Sequence, residues 1–445
     1  MPSPAITRIR AFTSQSPSPR PFQSALSALH TSLSALPLPT TQPLQSEYLL
    51  ALSTLRHWHD TISPSDHLTS EYAIANNKSN PARRVPIGLV HIIPAPKSIY
   101  GPIACIAAAL AACCGVVIEL EDVHPLRRVL GGLNGDTLCV VAPGEGEGDV
   151  LIDQRGGGRT VAVVDRSADI ENAARVLVKA RFAMVGGVYA PDLVVVNEFV
   201  KKRFLEACIK EIEVSGDDEP SGMEGVVKEA EERGQARVFG GVGGKVVEVL
   251  EKGCEVMKQN VEGRFLVVVG CSGLVDAVFG REEGTLLAGY FFAEPGAAKY
   301  LAQFMDCQAS FVNHIPTQLL VGPAAPKGHA LDLLWRYNPD MFTVPRPQFV
   351  PSPAPIEAAR LVDELLAKDA ITGKKKGALN QKIKAFASRP LKPSGQVKSL
   401  EELDFFGSGL FLGGGIVLAV VLPALGWTSY VLGKGALGYL GKWRR

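Results

Sequence analysis

The stretch VPIGLVHIIPAPKSIYGPIACIAAALAACCGVVIELED, Val85 to Asp122, decides how the rest of the chain is read. Val85 to Ile93 is a short apolar run closed by Pro94, the pattern of a buried strand. Gly101 to Cys114 is long enough for a helix and is dominated by alanine, which packs closely, while Gly115 to Leu120 returns to β-branched residues. Strand, small-residue helix and strand make a βαβ unit. Working outward, Asp136 to Ala142 and Thr160 to Asp165 read as short strands separated by glycine-rich loops. Ile170 to Ala183 reads as a helix, Asp192 to Val196 as a strand and Val200 to Val214 as a helix. A charged, glycine-rich stretch from about 215 to 260 precedes a strand at Phe265 to Val269, and further elements run to about 343. This alternation predicts an α/β fold with a mostly parallel sheet. Towards the N-terminus, Phe22, Leu26, Leu29, Leu33 and Leu36 recur at steps of four and three, one face of an amphipathic helix that Pro37 stops. Glu47 to Asp60 forms a second helix, and residues 1–21, rich in Ser and Pro, are expected to be disordered.

Composition narrows the function classes. At 445 residues the chain exceeds one ordinary domain, and 46 Lys and Arg against 45 Asp and Glu leave a net charge of +1, which argues against nucleic acid as a partner. Eight cysteines lie scattered through apolar stretches with no C-x-x-C pair, so they read as reduced, buried thiols rather than metal ligands. His57 and His59 are two apart on a helix and face different sides, a poor metal pair. At the other end, Phe405 to Gly433 carries no charged side chain, and a helix needs roughly 20 residues to cross a bilayer. Trp427, Tyr430, Tyr439 and Trp443 lie towards its far end, with Lys434, Lys442, Arg444 and Arg445 in the tail. The expectation is a single-pass C-terminal anchor. The N-terminus lacks the apolar core of a signal peptide, so the globular part is expected in the cytosol.

Three strings together resemble the aldehyde dehydrogenase superfamily over roughly residues 22 to 348. Val85 to Asp122 resembles the stretch that opens the family's cofactor domain. Asp165-Arg166-Ser167-Ala168-Asp169-Ile170, with Phe182 and Ala190-Pro191-Asp192, resembles the segment around its catalytic cysteine. AGYFFAEPGAAKYLAQFMDCQASFVN, Ala288 to Asn313, resembles the later piece whose asparagine stands near the substrate, which makes Asn313 the substrate-tunnel candidate. With its hydrophobic C-terminus, the chain looks most like the membrane-anchored branch that handles long-chain (fatty) aldehydes. The resemblance implies an aldehyde dehydrogenase-like α/β fold: a truncated Rossmann-type cofactor lobe, a second α/β lobe and a C-terminal transmembrane helix. It divides the chain into a disordered N-terminus (1–21), a helical start with a degenerate cofactor lobe (22–183), a catalytic-like lobe (184–343), a Pro-rich and basic linker (344–404), the anchor (405–433) and a basic tail (434–445). It also implies a homodimer, or a heterodimer with an intact paralogue, and makes the endoplasmic reticulum a possible membrane.

Family chemistry needs a cysteine thiolate to attack the aldehyde, an asparagine amide to hold the oxyanion, a nicotinamide to take hydride and a glutamate to activate water. On this chain the resemblance puts Val188 or Tyr189 at the cysteine position, Pro96 at the oxyanion asparagine, Gln154 or Arg155 at the glutamate and Glu119 at the lysine that holds the cofactor's ribose. None of these supplies the family's atom. Between Glu121 and Asp136 the chain is also shorter than the family, by about a helix–strand unit. The loop Pro143-Gly144-Glu145-Gly146-Glu147-Gly148-Asp149 has glycines that let N–H groups approach phosphate, but its carboxylates repel it, so an acidic turn is the preferred reading. The expectation is therefore a catalytically degenerate relative that binds a partner or an apolar ligand, with no catalytic residue and no cofactor. The alternative is a working NAD- or NADP-dependent oxidoreductase, converting aldehydes to carboxylic acids with displaced residues.

Overall fold

The computed structural model describes residues 3–15, 18–73, 75–78, 82–96, 98–133, 135–183, 187–212, 222–241, 243–279, 284–326, 328–346, 356–367, 374–390 and 414–415. The chain divides into two compact units, residues 1–350 and 351–445. In the first, helices α1 (Pro4–Ser14), α2 (Arg20–Ser34), α3 (Gln42–Thr61) and α4 (Pro64–Glu71) lead into β1 (Arg84–Pro86). A parallel sheet follows, made of β2 (Leu89–Ile93), β3 (Gly115–Glu119), β4 (Leu138–Val141) and β5 (Val150–Asp153) in the order β4-β3-β2-β5. Helix α5 (Tyr100–Ala111) crosses from β2 to β3 as the sequence predicts, and the short α6 (Arg127–Leu130) lies between β3 and β4.

The two faces of this sheet are covered differently. On one, α5 is buried from Tyr100 to Leu110, and its alanines let Leu26, Leu29 and Leu33 of α2 and Leu55 of α3 close over it. On the other, residues 142–149 join β4 to β5 without a helix, and α1 fills the space: Ile6 and Ile9 pack on Leu89, Val117, Cys139 and Val141. Residues 1–21 were expected to be disordered. This is corrected: α1 and the start of α2 lie there, because two isoleucines three apart put a small apolar face on a segment whose Ser and Pro content dominates its composition.

A second sheet has seven strands in the order β12-β11-β6-β7-β10-β9-β8. These are β6 (Thr160–Val164), β7 (Leu193–Asn197), β8 (Ala236–Gly241), β9 (Gly244–Val249), β10 (Phe265–Cys271), β11 (Ala288–Phe292) and β12 (Ser310–Val312). Only β8 runs antiparallel to its neighbour. Strands β6, β7, β10 and β11 are buried along their whole length, without alternation, because both faces of the sheet are covered there. Helices α7 (Ile170–Phe182) and α8 (Glu198–Glu211) cover one face; α9 (Met223–Glu232), α10 (Glu255–Lys258), α11 (Leu274–Phe279) and α12 (Pro295–Phe304) cover the other. Two expectations change. β6 and α7 belong to this second sheet, so the lobes part between Asp153 and Thr160 rather than at residue 183. The stretch from 215 to 260 is not only a separator: Met223, Val227 and Ala230 give α9 its buried face, and β8 and β9 form a hairpin. Strand β13 (Thr343–Pro345) returns to pair with β1.

The second unit contains α13 (Glu357–Leu366) and α14 (Lys374–Ala387), with Arg389 paired to Glu357 and Lys382 to Glu364. The expected anchor at 405–433 and the tail at 434–445 lie outside the described residues, apart from 414–415. Among the described residues no helix is long and apolar enough to cross a membrane.

The packing of α1 is open to direct test. Ile9 is fully buried, so Ile9→Ala should lower stability by about 2–5 kcal/mol, seen as a lower urea midpoint with an unchanged slope. An unchanged midpoint would mean that α1 does not hold the sheet.

Candidate active site

In open parallel sheets ligands bind beyond the carboxyl ends of the strands. Here those ends carry Pro94 to Pro96 after β2, Glu119 closing β3, the glycine loop after β4 and Gln154 after β5. Glu119 is 8% exposed and turns into the loop. Its Oε2 accepts the Gly144 N–H at 2.9 Å, its Oε1 accepts the Gly146 N–H at 3.0 Å, and His91 Nε2 on β2 lies 2.9 Å from Oε1. Burial pushes this carboxyl up, but the two N–H groups and His91 outweigh it and hold it below the usual glutamate range. The loop passes so close that a Cβ at Gly146 would fall on the His91 ring and 2.6 Å from Glu119 Oε1. Two other loop acids, Glu147 and Asp149, pair with Arg10 of α1 at 3.1 and 3.0 Å. N–H groups that an anionic ligand would need are thus held by the protein's own carboxylate.

A second such contact escaped the sequence. Glu47 of α3 accepts the N–H groups of Ile99 and Tyr100 at 2.5 and 3.0 Å, so the start of α5 also has a carboxylate of the chain against it. No local signal marks it, because the two sites are about fifty residues apart along the chain.

The candidate positions scatter. Gln154 is buried and donates to Gly101 O at 2.9 Å and to Tyr337 Oη at 3.0 Å, while its Oε1 has no partner among the described residues. Arg155 is exposed and grips Asp153, so of the two residues offered for the glutamate position only Gln154 points inward. Pro96 sits in an exposed turn. Val188 is half-buried, whereas Tyr189 is 1% exposed. Its hydroxyl accepts the Ala325 N–H at 3.0 Å, its carbonyl accepts the Tyr290 hydroxyl at 2.7 Å, and the Arg336 guanidinium stands 4.8 Å over its ring. Arg336 in turn donates to the carbonyls of Leu319, Val321 and Pro323. Gln154 and Tyr189 are therefore bridged by the consecutive pair Arg336 and Tyr337, a connection with no motif to announce it.

Asn313 has both ends of its amide engaged with Ala293: Oδ1 accepts the N–H and Nδ2 donates to the carbonyl, each at 3.0 Å. Its φ of 59° is a left-handed turn that asparagine tolerates. It ties the end of β11 to the chain beyond β12. Asp192 likewise anchors the loop before β7, accepting the N–H groups of Thr160 and Val261. Burial pushes the thiol of Cys113 up to about 12 and those of Cys114, Cys139 and Cys271 up to about 11, which disfavours the reactive thiolate at these four positions. Among the described residues no cluster of His, Cys, Asp and Glu could hold a metal. A pyrophosphate brought to the Gly144 and Gly146 N–H groups would meet the Glu119 carboxylate that already holds them.

The architecture is an α/β aldehyde dehydrogenase-like fold, and solved structures give the likeness its measure. The chain is similar to the substrate-bound state of Staphylococcus aureus AldH, at 15% identity, with 86% of this chain and 98% of that one covered and a TM-score of 0.61. It is similar to a salicylaldehyde dehydrogenase from Pseudomonas putida G7 complexed with salicylaldehyde (14% identity, 79% and 90% covered, TM-score 0.57). It is also similar to a betaine aldehyde dehydrogenase variant from Staphylococcus aureus in complex with NAD+ (16%, 70% and 80%, TM-score 0.53). No family model and no curated protein matches the chain in sequence. At such identities the likeness shows the fold alone.

The Glu119 contact carries a pH signature. A carboxyl held below its unfolded pKa contributes stability above that pKa and loses it as the pH falls through the lowered value. The stability gap between the protein and Glu119→Gln should therefore be full at neutral pH and shrink below about pH 4, near the unfolded glutamate pKa. Urea titrations across that range measure it, and a gap constant with pH would remove Glu119 as the anion of the loop.

Proposed function

We propose that this chain is a membrane-anchored protein of aldehyde dehydrogenase fold that acts by binding a partner protein or an apolar ligand and does not oxidise aldehydes. The observation that carries the reading is Glu119, which occupies the backbone N–H groups of the glycine loop and is itself an anion where the family resemblance asks for a cation. Supporting it, Tyr189 is fixed in a packed, hydrogen-bonded position and Gln154 is no general base. The uncharged run from Phe405 to Gly433 and its basic finish support the anchor, with the rest of the chain in the cytosol and the endoplasmic reticulum as the membrane. Assembly is a homodimer or a heterodimer with an intact paralogue, by the family resemblance. The second reading, an NAD- or NADP-dependent oxidoreductase, is favoured by the neighbours, whose names describe aldehyde dehydrogenases and one of which binds NAD+.

Two experiments separate these readings. Calorimetry with NAD and NADP, together with turnover of short and long aldehydes, should show neither saturable binding nor product. Val188→Cys or Tyr189→Cys should not restore turnover either, since a lost oxyanion donor alone raises the barrier by about 2.7–4 kcal/mol and the base is missing as well. Micromolar cofactor binding with turnover would establish the second reading. For the anchor, the full chain should resist an alkaline carbonate wash and a chain ending at Leu403 should not; release of the full chain would refute it.

A further inference from the structure

The amino ends of the same sheet, opposite the strand ends described above, border a cleft of about 480 Å³ between α1, α4 and the β1–β13 ribbon. Four arginines line it, Arg10, Arg83, Arg84 and Arg346, against two carboxylates, Glu71 and Asp149. Two of the arginines are engaged in holding the fold. Arg10 bridges Glu147 and Asp149, and Arg84 donates to Thr343 and to the Asp340 carbonyl. The guanidinium groups of the other two are less fully engaged. Arg83 makes one ion pair, to Glu71 at 3.3 Å, and its Nε is buried with no partner among the described residues. Arg346 is exposed, and its guanidinium has no ion pair among the described residues. Its backbone N–H donates to the Arg83 carbonyl at 2.7 Å, which fixes the two arginines as neighbours across the ribbon.

A buried donor left unpaired is costly, and a second guanidinium beside it doubles the supply of planar donors; such forks match the oxygens of a phosphate group better than any neutral ligand. Val85, Pro86 and Ile87 give the cleft an apolar wall, and its volume exceeds that of a bare ion. We propose that this cleft binds a phosphate-bearing molecule, with Arg83 and Arg346 as its ligands. The proposal does not depend on whether the chain is catalytic, because none of the positions that the resemblance assigns to the family's catalytic residues (Pro96, Gln154, Arg155, Val188 and Tyr189) lines the cleft.

The test uses the full-length protein held in phosphatidylcholine discs, titrated calorimetrically with inorganic phosphate at constant ionic strength. Saturable binding is expected, weakened about tenfold or more in Arg83→Gln and in Arg346→Gln, the range for losing a charged hydrogen bond, and unchanged in Arg128→Gln on α6. If Arg83→Gln fails to fold, the exposed Arg346 carries the test alone. Adding phosphatidic acid to the discs identifies the source: competition with phosphate assigns a lipid headgroup, and undiminished affinity assigns a soluble phosphate. No saturable binding up to about 10 mM, or equal binding by the folded arginine variants, overturns the proposal.

Discussion

The structure turns on a loop that has to cross the first sheet without secondary structure of its own. Residues 142–149 leave β4 at its carboxyl end and pass over β3 and β2 to begin β5. Buried backbone N–H groups need partners, and a bare crossing has none in a helix or a ladder. Glu119 supplies two of them, and Asp149 takes the Leu89 N–H with its Oδ2 and Arg10 with its Oδ1. Gly146 and Gly148 are needed where the chain touches His91, since a side chain at either would collide with it. Helix α1 completes the cover, and Gly115 leaves room for Ile9 at the start of β3.

That solution has a chemical consequence at the ends of the strands. The same N–H groups that make a glycine loop suited to phosphate are saturated by a carboxylate of the chain, and a second carboxylate, Glu47, sits on the start of α5. An anion bound there would have to displace a buried charge already compensated by hydrogen bonds, which is unfavourable on both desolvation and Coulomb grounds. The interior beyond the sheet is built by the same logic. Gln154, Tyr337, Arg336 and Tyr189 form one connected polar chain in which nearly every donor is satisfied within the protein. The basic cleft at the amino ends contrasts with it, since there the donors outnumber their partners.

The α/β class and the order of its central elements were legible in the sequence because strand and helix periodicities are local. VPIGLVHII, the alanine-rich run after it and GVVIEL each carry their own signal within a few residues. What only the tertiary structure decided is where distant groups meet. Ile6 and Ile9 are two apolar residues in a polar segment until β3 is placed beneath them. Glu119 lacks a role until the loop twenty-five residues later folds onto it, and Gln154 and Arg155 are equivalent in sequence until Tyr337 takes one and Asp153 the other. Burial and hydrogen bonding depend on contacts made across the chain, and no pattern within a short window encodes them.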